Sequence, residues 1–221
     1  MNRTVFMDDG FNLYHSLSDA EKDAGGAPAK WLDLRSLCTS FLFHVGRAVG
    51  EPASLRGIYY YSAPPNHEPA ARQERHRLYM RCLRATGVAV ELSRFKPKHV
   101  YCGACQRYIK TREEKETDVA IAVRLFETCF RGEAESIVLV TGDSDQAPAV
   151  RACQRLFPAV RAVFAFPYKR TSSELRTLAP ASFSIKLQSV LRHQLPDPLV
   201  LPSGEPLFMP PSWRPVSPET P

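Results

Sequence analysis

The sequence predicts a three-layer α/β domain with a mostly parallel sheet. Short apolar runs alternate with longer segments whose apolar residues recur at helical spacing. One run, Ile137–Val140, is wholly aliphatic and does not alternate, which is typical of a strand buried on both faces. Five main strands connected by right-handed crossovers suggest the order 3-2-1-4-5, which places the first strand beside the fourth.

The bulk composition fits one such domain with appendages, over 221 residues. We expect a cytoplasmic protein with no membrane association, because no run is long and apolar enough to span a bilayer and the first residues lack a signal-peptide core. Four of the six cysteines are scattered through predicted helices, which favours a reducing compartment over a disulfide framework.

The excess of positive charge is concentrated in one part of the sequence. The net charge is +6, and residues 72–115 alone contain 12 Lys or Arg against 4 Asp or Glu. A concentrated basic stretch beside an acidic site suits a nuclease, because the phosphates must be attracted before they are cleaved. The alternative is an ordinary solvated arginine-rich helix.

The first strand is predicted over Thr4–Asp8 and leads into Asp9 and a glycine turn. Asn12 then supplies an amide that can orient a carboxylate, a water or a phosphate, or can simply cap a helix. Alternation along the strand sends Asp8 to the face opposite Asp9, and the sequence suggests no role for it.

The next elements are a polar loop over 19–30, a helix over Trp31–Val49, a second strand over Leu55–Tyr61, a helix over 68–86 and a third strand over Val88–Phe95. Arginines dominate the second of these helices, and we expect Arg72, Arg77 and Arg81 to contact phosphates.

A Cys-x-x-Cys pair, Cys102 and Cys105, is predicted in a hairpin near 96–112, together with the basic Lys110 and Arg112. The pair is half of a zinc knuckle, and no second pair follows. His99 or a partner chain in a homodimer could complete a Zn²⁺ site. The other interpretations are a plain thiol-containing hairpin and, less well supported by the neighbouring residues, a redox pair.

A second acidic group follows. Residues 113–118 are predicted to open a helix with Asp118 near its start, and an aliphatic strand then runs into Gly142, Asp143 and Asp145. Asp143 and Asp145 repel each other unless a helix start takes one charge or a divalent cation satisfies both, and oxygen ligands favour Mg²⁺ or Mn²⁺. For Asp118 alone, a helix-start aspartate is the simpler interpretation.

The chain then has a last full strand over Val160–Phe166, a loop whose Lys169 and Arg170 could touch phosphate, and a short helix and edge strand near 174–178 and 183–185. Nine of the 19 prolines fall in the last 26 residues. We therefore divide the chain into a domain over 1–193 and a Pro-rich tail over 194–221, either packed or disordered.

Three motifs together resemble the NYN domain, in the LabA-like (DUF88) branch of the PIN-like nucleases. They are Asp9-Gly10-Phe11-Asn12, then Glu114-Lys115-Glu116-Thr117-Asp118-Val119, then Thr141-Gly142-Asp143-Ser144-Asp145. The resemblance implies a Rossmann-like sheet and Mg²⁺-dependent RNA cleavage. Carried over by motif, the acidic cluster falls on Asp9, Asp118, Asp143 and Asp145, with Asn12 and Thr141 beside them. Gln146 departs from the pattern, since an apolar or aromatic residue is common there.

These residues predict a metal-dependent nuclease, with one or two ions that activate water and stabilise charge on the phosphate. Two rival functions are a nucleic-acid-binding or assembly module with a decayed site, and a metal-dependent phosphohydrolase that acts on small nucleotides. The basic stretch favours a polymer such as single-stranded or structured RNA.

Overall fold

The computed structural model of the chain describes residues 1–179 and 181–215, and its centre is a six-stranded parallel sheet. The strands are β1 Asn2–Asp9, β2 Ala53–Ser62, β3 Ala89–Leu92, β4 Arg94–Cys102, β5 Arg107–Lys115, β6 Ser136–Val140, β7 Arg161–Phe166, β8 Ser182–Ser184, β9 Leu199–Val200 and β10 Pro206–Leu207. The sheet order is β3-β2-β1-β6-β7-β8, and each neighbouring pair is parallel. The predicted fold class and the predicted neighbours of the first strand are confirmed.

Helices cover both faces of the sheet and complete the three layers. They are α1 Gly10–Asp23, α2 Leu34–Ser40, α3 Leu42–Val49, α4 Ala70–Ala85, α5 Thr117–Phe130, α6 Ala147–Leu156, α7 Ser173–Leu178 and α8 Leu187–Arg192. Alternate residues of one strand feed opposite cores: Val138 packs with α1 to α4 and α8, while Ile137 and Leu139 pack with α5 to α7. This double burial explains why β6 is aliphatic from Ile137 to Val140.

The structure corrects two boundaries in the first half of the chain. Helix α1 continues to Asp23, where a loop was predicted from Asp19. The single helix predicted over Trp31–Val49 is two helices, and the first begins only at Leu34 because the Asp33 side chain caps it by accepting from the Ser36 N–H at 2.9 Å. It ends where the Ser40 hydroxyl donates to the Leu37 carbonyl at 2.6 Å.

The hairpin is longer than predicted. Strands β4 and β5 form one antiparallel ladder from Arg94 opposite Lys115 to Cys102 opposite Arg107. Residues 113–115 were therefore wrongly predicted to open a helix, because cross-strand pairing outweighs their helical propensity. Glu116 takes a left-handed conformation with φ of 81°, and α5 starts after it.

The Pro-rich segment packs against the domain in its described part. Leu207 and Met209 belong to the core on the α1 side of the sheet. The Trp213 ring lies 6.1 Å from Tyr79 and 6.3 Å from Trp31. The end of the predicted tail, 216–221, lies outside the described residues. Among the described helices, none combines the length and hydropathy needed to cross a bilayer.

Candidate functional site

The carboxyl ends of β1 and β6 meet at one edge of the sheet and place Asp9 beside Thr141. The two strands pair in parallel up to Asp8 opposite Val140. The Thr141 hydroxyl donates to Asp9 Oδ2 at 3.0 Å, and the Asn12 backbone N–H donates to Asp9 Oδ1 at 3.0 Å. Each oxygen of the Asp9 carboxylate therefore has one donor that fixes its orientation.

Asp143 lies in the loop that follows β6, and the same network holds it. Its backbone N–H donates to Thr141 Oγ1 at 3.0 Å, and its Oδ1 accepts from the Asp145 N–H at 3.0 Å. This second bond caps a single 3-10 turn before α6. Asn12 Oδ1 accepts from the Gly142 N–H at 3.1 Å, so the amide ties the loop after β6 to the start of α1.

Asp118 reaches the same edge from the first turn of α5. The Gln146 side chain donates to Asp118 Oδ1 at 2.9 Å, and Gln146 is only 1% exposed. From the sequence we expected Gln146 to affect packing behind the site. The structure shows in addition that it orients an acidic side chain.

Glu114 is a fifth carboxylate that the sequence analysis did not assign. It is half-buried near the end of β5 and accepts from the Thr117 hydroxyl. Burial raises the pKa of Glu114, and the charges of Asp9 and Asp118 raise it further. Glu114 begins the second of the three motifs, four residues before Asp118, and this position could have identified it from the sequence.

The cluster carries negative charge that the described residues do not neutralise. Burial raises the pKa of Asp9 to about 6, and Asp118 and Asp143 contribute, although the bonds from Asn12 and Thr141 oppose the shift. Three cations of the hairpin are engaged elsewhere: Arg94 pairs with Glu116, and Lys98 and Lys115 pair with Glu113. Within the described residues, none of the five cluster carboxylates forms a salt bridge to Lys or Arg.

A hard divalent cation fits this set in charge and in ligand type, since every candidate ligand is an oxygen. In the part of the chain that the structure describes, three acidic, histidine or cysteine ligands do not yet converge on one point. Asp145 is exposed and can turn toward a cation, whereas Asp9 is 5% exposed and held by two donors. Gln146 holds one oxygen of Asp118. Asp9 and Asp118 would therefore be the anchored ligands and Asp145 the adjustable one.

The seven predicted phosphate-contacting cations are spread over three regions of the surface. Arg72 pairs with Glu68, Arg77 with Glu74, Arg81 with Glu205, Lys169 with Asp23 and Arg170 with Asp19. Among the described residues, Lys110 and Arg112 of β5 have no ion-pair partner. Their contacts with nucleic acid stay predictions.

The close approach of two loops requires glycine at position 142. A Cβ on Gly142 would overlap the backbone carbonyl of Arg170. We expect Gly142→Ala to cost about 1–3 kcal/mol of unfolding free energy and to displace Asp143. Urea unfolding measures the loss. Gly103→Ala is the matched control, because a Cβ there meets nothing within 4 Å; equal stability of the two variants would contradict this explanation.

Cys102 and Cys105 lie at the exposed end of the hairpin. Hydrogen bonds from the Cys105 backbone, the Cys105 side chain and the Ala104 backbone lower the pKa of Cys102. His99 lies on β4 opposite Lys110, and no third ligand gathers with the pair within the described residues. A zinc site in a single chain would therefore have only two protein ligands, fewer than a structural site requires.

We accordingly expect monomeric protein to contain no zinc, as measured by elemental analysis of a size-separated fraction. One zinc per chain in the monomer would contradict this expectation. One zinc per two chains, confined to a dimer and lost in a Cys102→Ser, Cys105→Ser variant, would show that two copies each contribute a pair.

Comparisons with known proteins agree with the fold. A crystal structure of VPA0982, a protein of unknown function from Vibrio parahaemolyticus RIMD 2210633, has a TM-score of 0.52 at 18% identity and covers 84% of this chain and 93% of that chain. No curated protein matches the sequence. The family model of the NYN domain matches residues 5–186. Because that match spans most of the chain, the protein belongs to the NYN domain family, within the PIN-like nuclease superfamily.

Proposed function

We propose that the protein is a Mg²⁺- or Mn²⁺-dependent endoribonuclease of the LabA-like (DUF88) branch. The observation that carries the proposal is the carboxylate cluster. Asp9, Asp118 and Asp143 are remote in sequence, yet β1, α5 and β6 bring them to one edge of the sheet. There the charges of Asp118 and Asp143 raise the pKa of Asp9, and the charge of Asp143 raises the pKa of Asp118. Such a cluster without paired cations suits a site that binds a divalent ion.

Different side chains of this site have different roles. Thr141 and Asn12 hold the Asp9 carboxylate in one orientation. Gln146 orients Asp118, whose pKa is raised by burial, then by Asp143 and Asp145, so that Asp118 is suited to accept a proton from the attacking water. A divalent ion, when bound, supplies water activation and stabilises charge on the phosphate.

The proposed substrate is RNA, single-stranded or structured. The cations of the hairpin and of α4 would supply the attraction that a polyanion requires. A cytoplasmic location and a homodimer formed through the hairpin tip are further parts of this proposal. The exposed side chains of Tyr101, Tyr108 and Ile109 at that tip support the homodimer.

The test is incubation of the purified full chain with single-stranded RNA or DNA in Mg²⁺, in Mn²⁺ and in EDTA. We expect RNA to be cut internally in either metal and to stay intact in EDTA. Binding without cleavage in every metal would instead favour a nucleic-acid-binding module. Release of phosphate from mononucleotides with RNA left intact would favour a small-nucleotide phosphohydrolase.

A further inference from the structure

A cavity of about 330 Å³ opens directly beside the acidic cluster. It lies between α1, α4, the base of the β4–β5 hairpin and Trp213. Gly10 and Glu114 line it, and both also border the cluster, since Gly10 follows Asp9 and Glu114 lies close enough for Asp9 to raise its pKa. One ligand can therefore occupy the cavity and reach the carboxylates.

We propose that this cavity, the base pocket, binds the nucleobase of one nucleotide unit whose phosphate lies at the carboxylate cluster. The inference deepens the proposed nuclease function and rests on it only for the position of the phosphate. Binding of the base itself is independent of cleavage.

Flat aromatic side chains form much of the wall. Tyr60 and Tyr79 are buried, with 5% and 6% exposure, while Phe95 is half-buried at the base of the hairpin. On α1, Phe11 and Tyr14 are 47% and 42% exposed at the rim. Proteins bind unstacked bases of single-stranded RNA on aromatic faces of this kind. A volume near the lower limit for ligand sites suits one planar ring system rather than a larger ligand.

The charges around the base pocket are complementary to a nucleotide. Arg75 and Arg112 both line it, and neither forms an ion pair with any residue in 1–179 or 181–215. The two remaining cations are engaged, Arg72 with Glu68 at 2.9 Å and Lys30 with Glu21. Two unpaired guanidinium groups beside aromatic walls provide donors for phosphate or for a base edge.

The geometry of α4 places Arg72 and Arg75 on the side of the base pocket and leaves Arg77 outside it. Positions 72, 75, 76, 79 and 80 recur at helical spacing and face the base pocket. Arg77, two residues from Arg75, points elsewhere and pairs with Glu74. Arg155 of α6 serves as the control, because it is exposed, does not line the base pocket and forms no ion pair among the described residues.

A polar pair interrupts the apolar wall. Ser62 Oγ and His76 Nε2 lie 3.0 Å apart, and both residues line the base pocket. Burial lowers the pKa of His76 to about 4, so the imidazole is neutral at pH 7. A neutral imidazole and a hydroxyl can exchange hydrogen bonds with a base edge, and this gives the pocket a means of preferring one base.

The test uses the full wild-type chain in EDTA, with titration of AMP, GMP, CMP, UMP and, as a baseless control, ribose 5-phosphate. Tryptophan fluorescence, to which Trp213 at the pocket contributes, and calorimetry report binding. We expect at least one nucleotide to bind about tenfold or more tightly than ribose 5-phosphate, since stacking on an aromatic side chain is worth about 1–3 kcal/mol per base. Equal affinity for ribose 5-phosphate and all four nucleotides would overturn the proposal.

Two variants and one control locate the binding. We expect Arg75→Ala to weaken binding of the preferred nucleotide by about fivefold or more and the control Arg155→Ala to change it by less than about twofold. Phe95→Ala should weaken binding by about tenfold. If Phe95→Ala does not fold, as judged by circular dichroism, the comparison of the two arginine variants still tests the assignment. Equal losses in Arg75→Ala and Arg155→Ala would contradict the assignment.

The nucleotide unit can belong to an RNA chain or be a free mononucleotide. Assays of RNA cleavage and of phosphate release in Mg²⁺ distinguish these two cases. In Mg²⁺, competitive inhibition of RNA cleavage by the preferred nucleotide, without phosphate release, assigns the base pocket to a unit of the polymer. Phosphate release from the free nucleotide assigns it to a small substrate. Base-selective binding without any cleavage would support the base pocket while removing the nuclease proposal, so the two failures are distinguishable.

Discussion

Replacement of Asp143 by Asn is expected to lower metal-dependent RNA cleavage by at least about a hundredfold, because one charged oxygen ligand is lost where phosphate charge must be stabilised. The fold should persist. Asn keeps the Oδ1 acceptor that receives the Asp145 N–H at 3.0 Å, and the loss of one charge relieves repulsion with Asp9 and Asp118. Metal-free stability should therefore hold or rise slightly.

The matched control is Asp33→Asn. Asp33 also caps a helix through Oδ1, which accepts from the Ser36 N–H, but it lies away from the carboxylate cluster at the start of α2. We expect this control to cleave RNA like the wild type. Wild-type activity of Asp143→Asn in Mg²⁺ and Mn²⁺ would mean that the metal site is wrongly assigned.

Asp8 is fully buried on the face of β1 opposite Asp9. Neither carboxylate oxygen has a hydrogen-bond partner among the described residues. Burial, followed by the charge of Asp9, raises the pKa of Asp8 well above its ordinary range. The fold therefore favours the protonated form of this carboxyl group, and an apolar side chain of similar size should be better tolerated.

We expect Asp8→Val to raise the unfolding free energy at pH 7 by about 2–4 kcal/mol. Because burial raises the pKa of Asp8, the folded carboxyl keeps its proton to a higher pH than the unfolded one, which releases it above its ordinary pKa of about 4. Wild-type stability is therefore lost as the pH rises from about 4, by up to about 1.4 kcal/mol per pH unit while Asp8 stays neutral. Asp8→Val lacks this contribution.

Urea unfolding in EDTA at pH 5 and pH 8 measures the difference in slope. Asp9 contributes a similar pH dependence to both proteins, so only the difference between them reports Asp8. Thr4→Val is a control on the same strand, since Thr4 is equally buried but its hydroxyl donates to Asn2 Oδ1 at 3.2 Å. A destabilised Asp8→Val, or an unchanged pH slope, would contradict the account of Asp8.

The sheet and the spacing of its acidic residues were predictable because they depend on local signals. Apolar runs identify the strands, and parallel neighbours carry their carboxyl ends to one edge. This reasoning brought Asp9 and Asp143 together correctly. The same reasoning could not place Asp8. A buried carboxyl group without a hydrogen-bond partner lowers stability, and no sequence pattern predicts it.

The parts that escaped prediction depend on contacts between distant segments. Glu114 reaches the cluster only because β5 pairs with β4, and its acidic neighbours had suggested a helix. Gln146 matters through a bond to Asp118, which lies 28 positions earlier in the chain. The base pocket combines α1, α4, the hairpin and Trp213, so no single stretch of sequence carries its signal.

We expect the carboxylate cluster to hold the divalent ion on which RNA cleavage depends. Titration of the wild-type chain with Mn²⁺, with free Mn²⁺ measured by electron paramagnetic resonance, tests it alongside RNA cleavage in the same samples. We expect Mn²⁺ binding and cleavage to rise at the same Mn²⁺ concentration and both to be lost in Asp143→Asn but kept in Asp33→Asn. Full cleavage in EDTA, or cleavage that persists in Asp143→Asn after Mn²⁺ binding is lost, would contradict the claim.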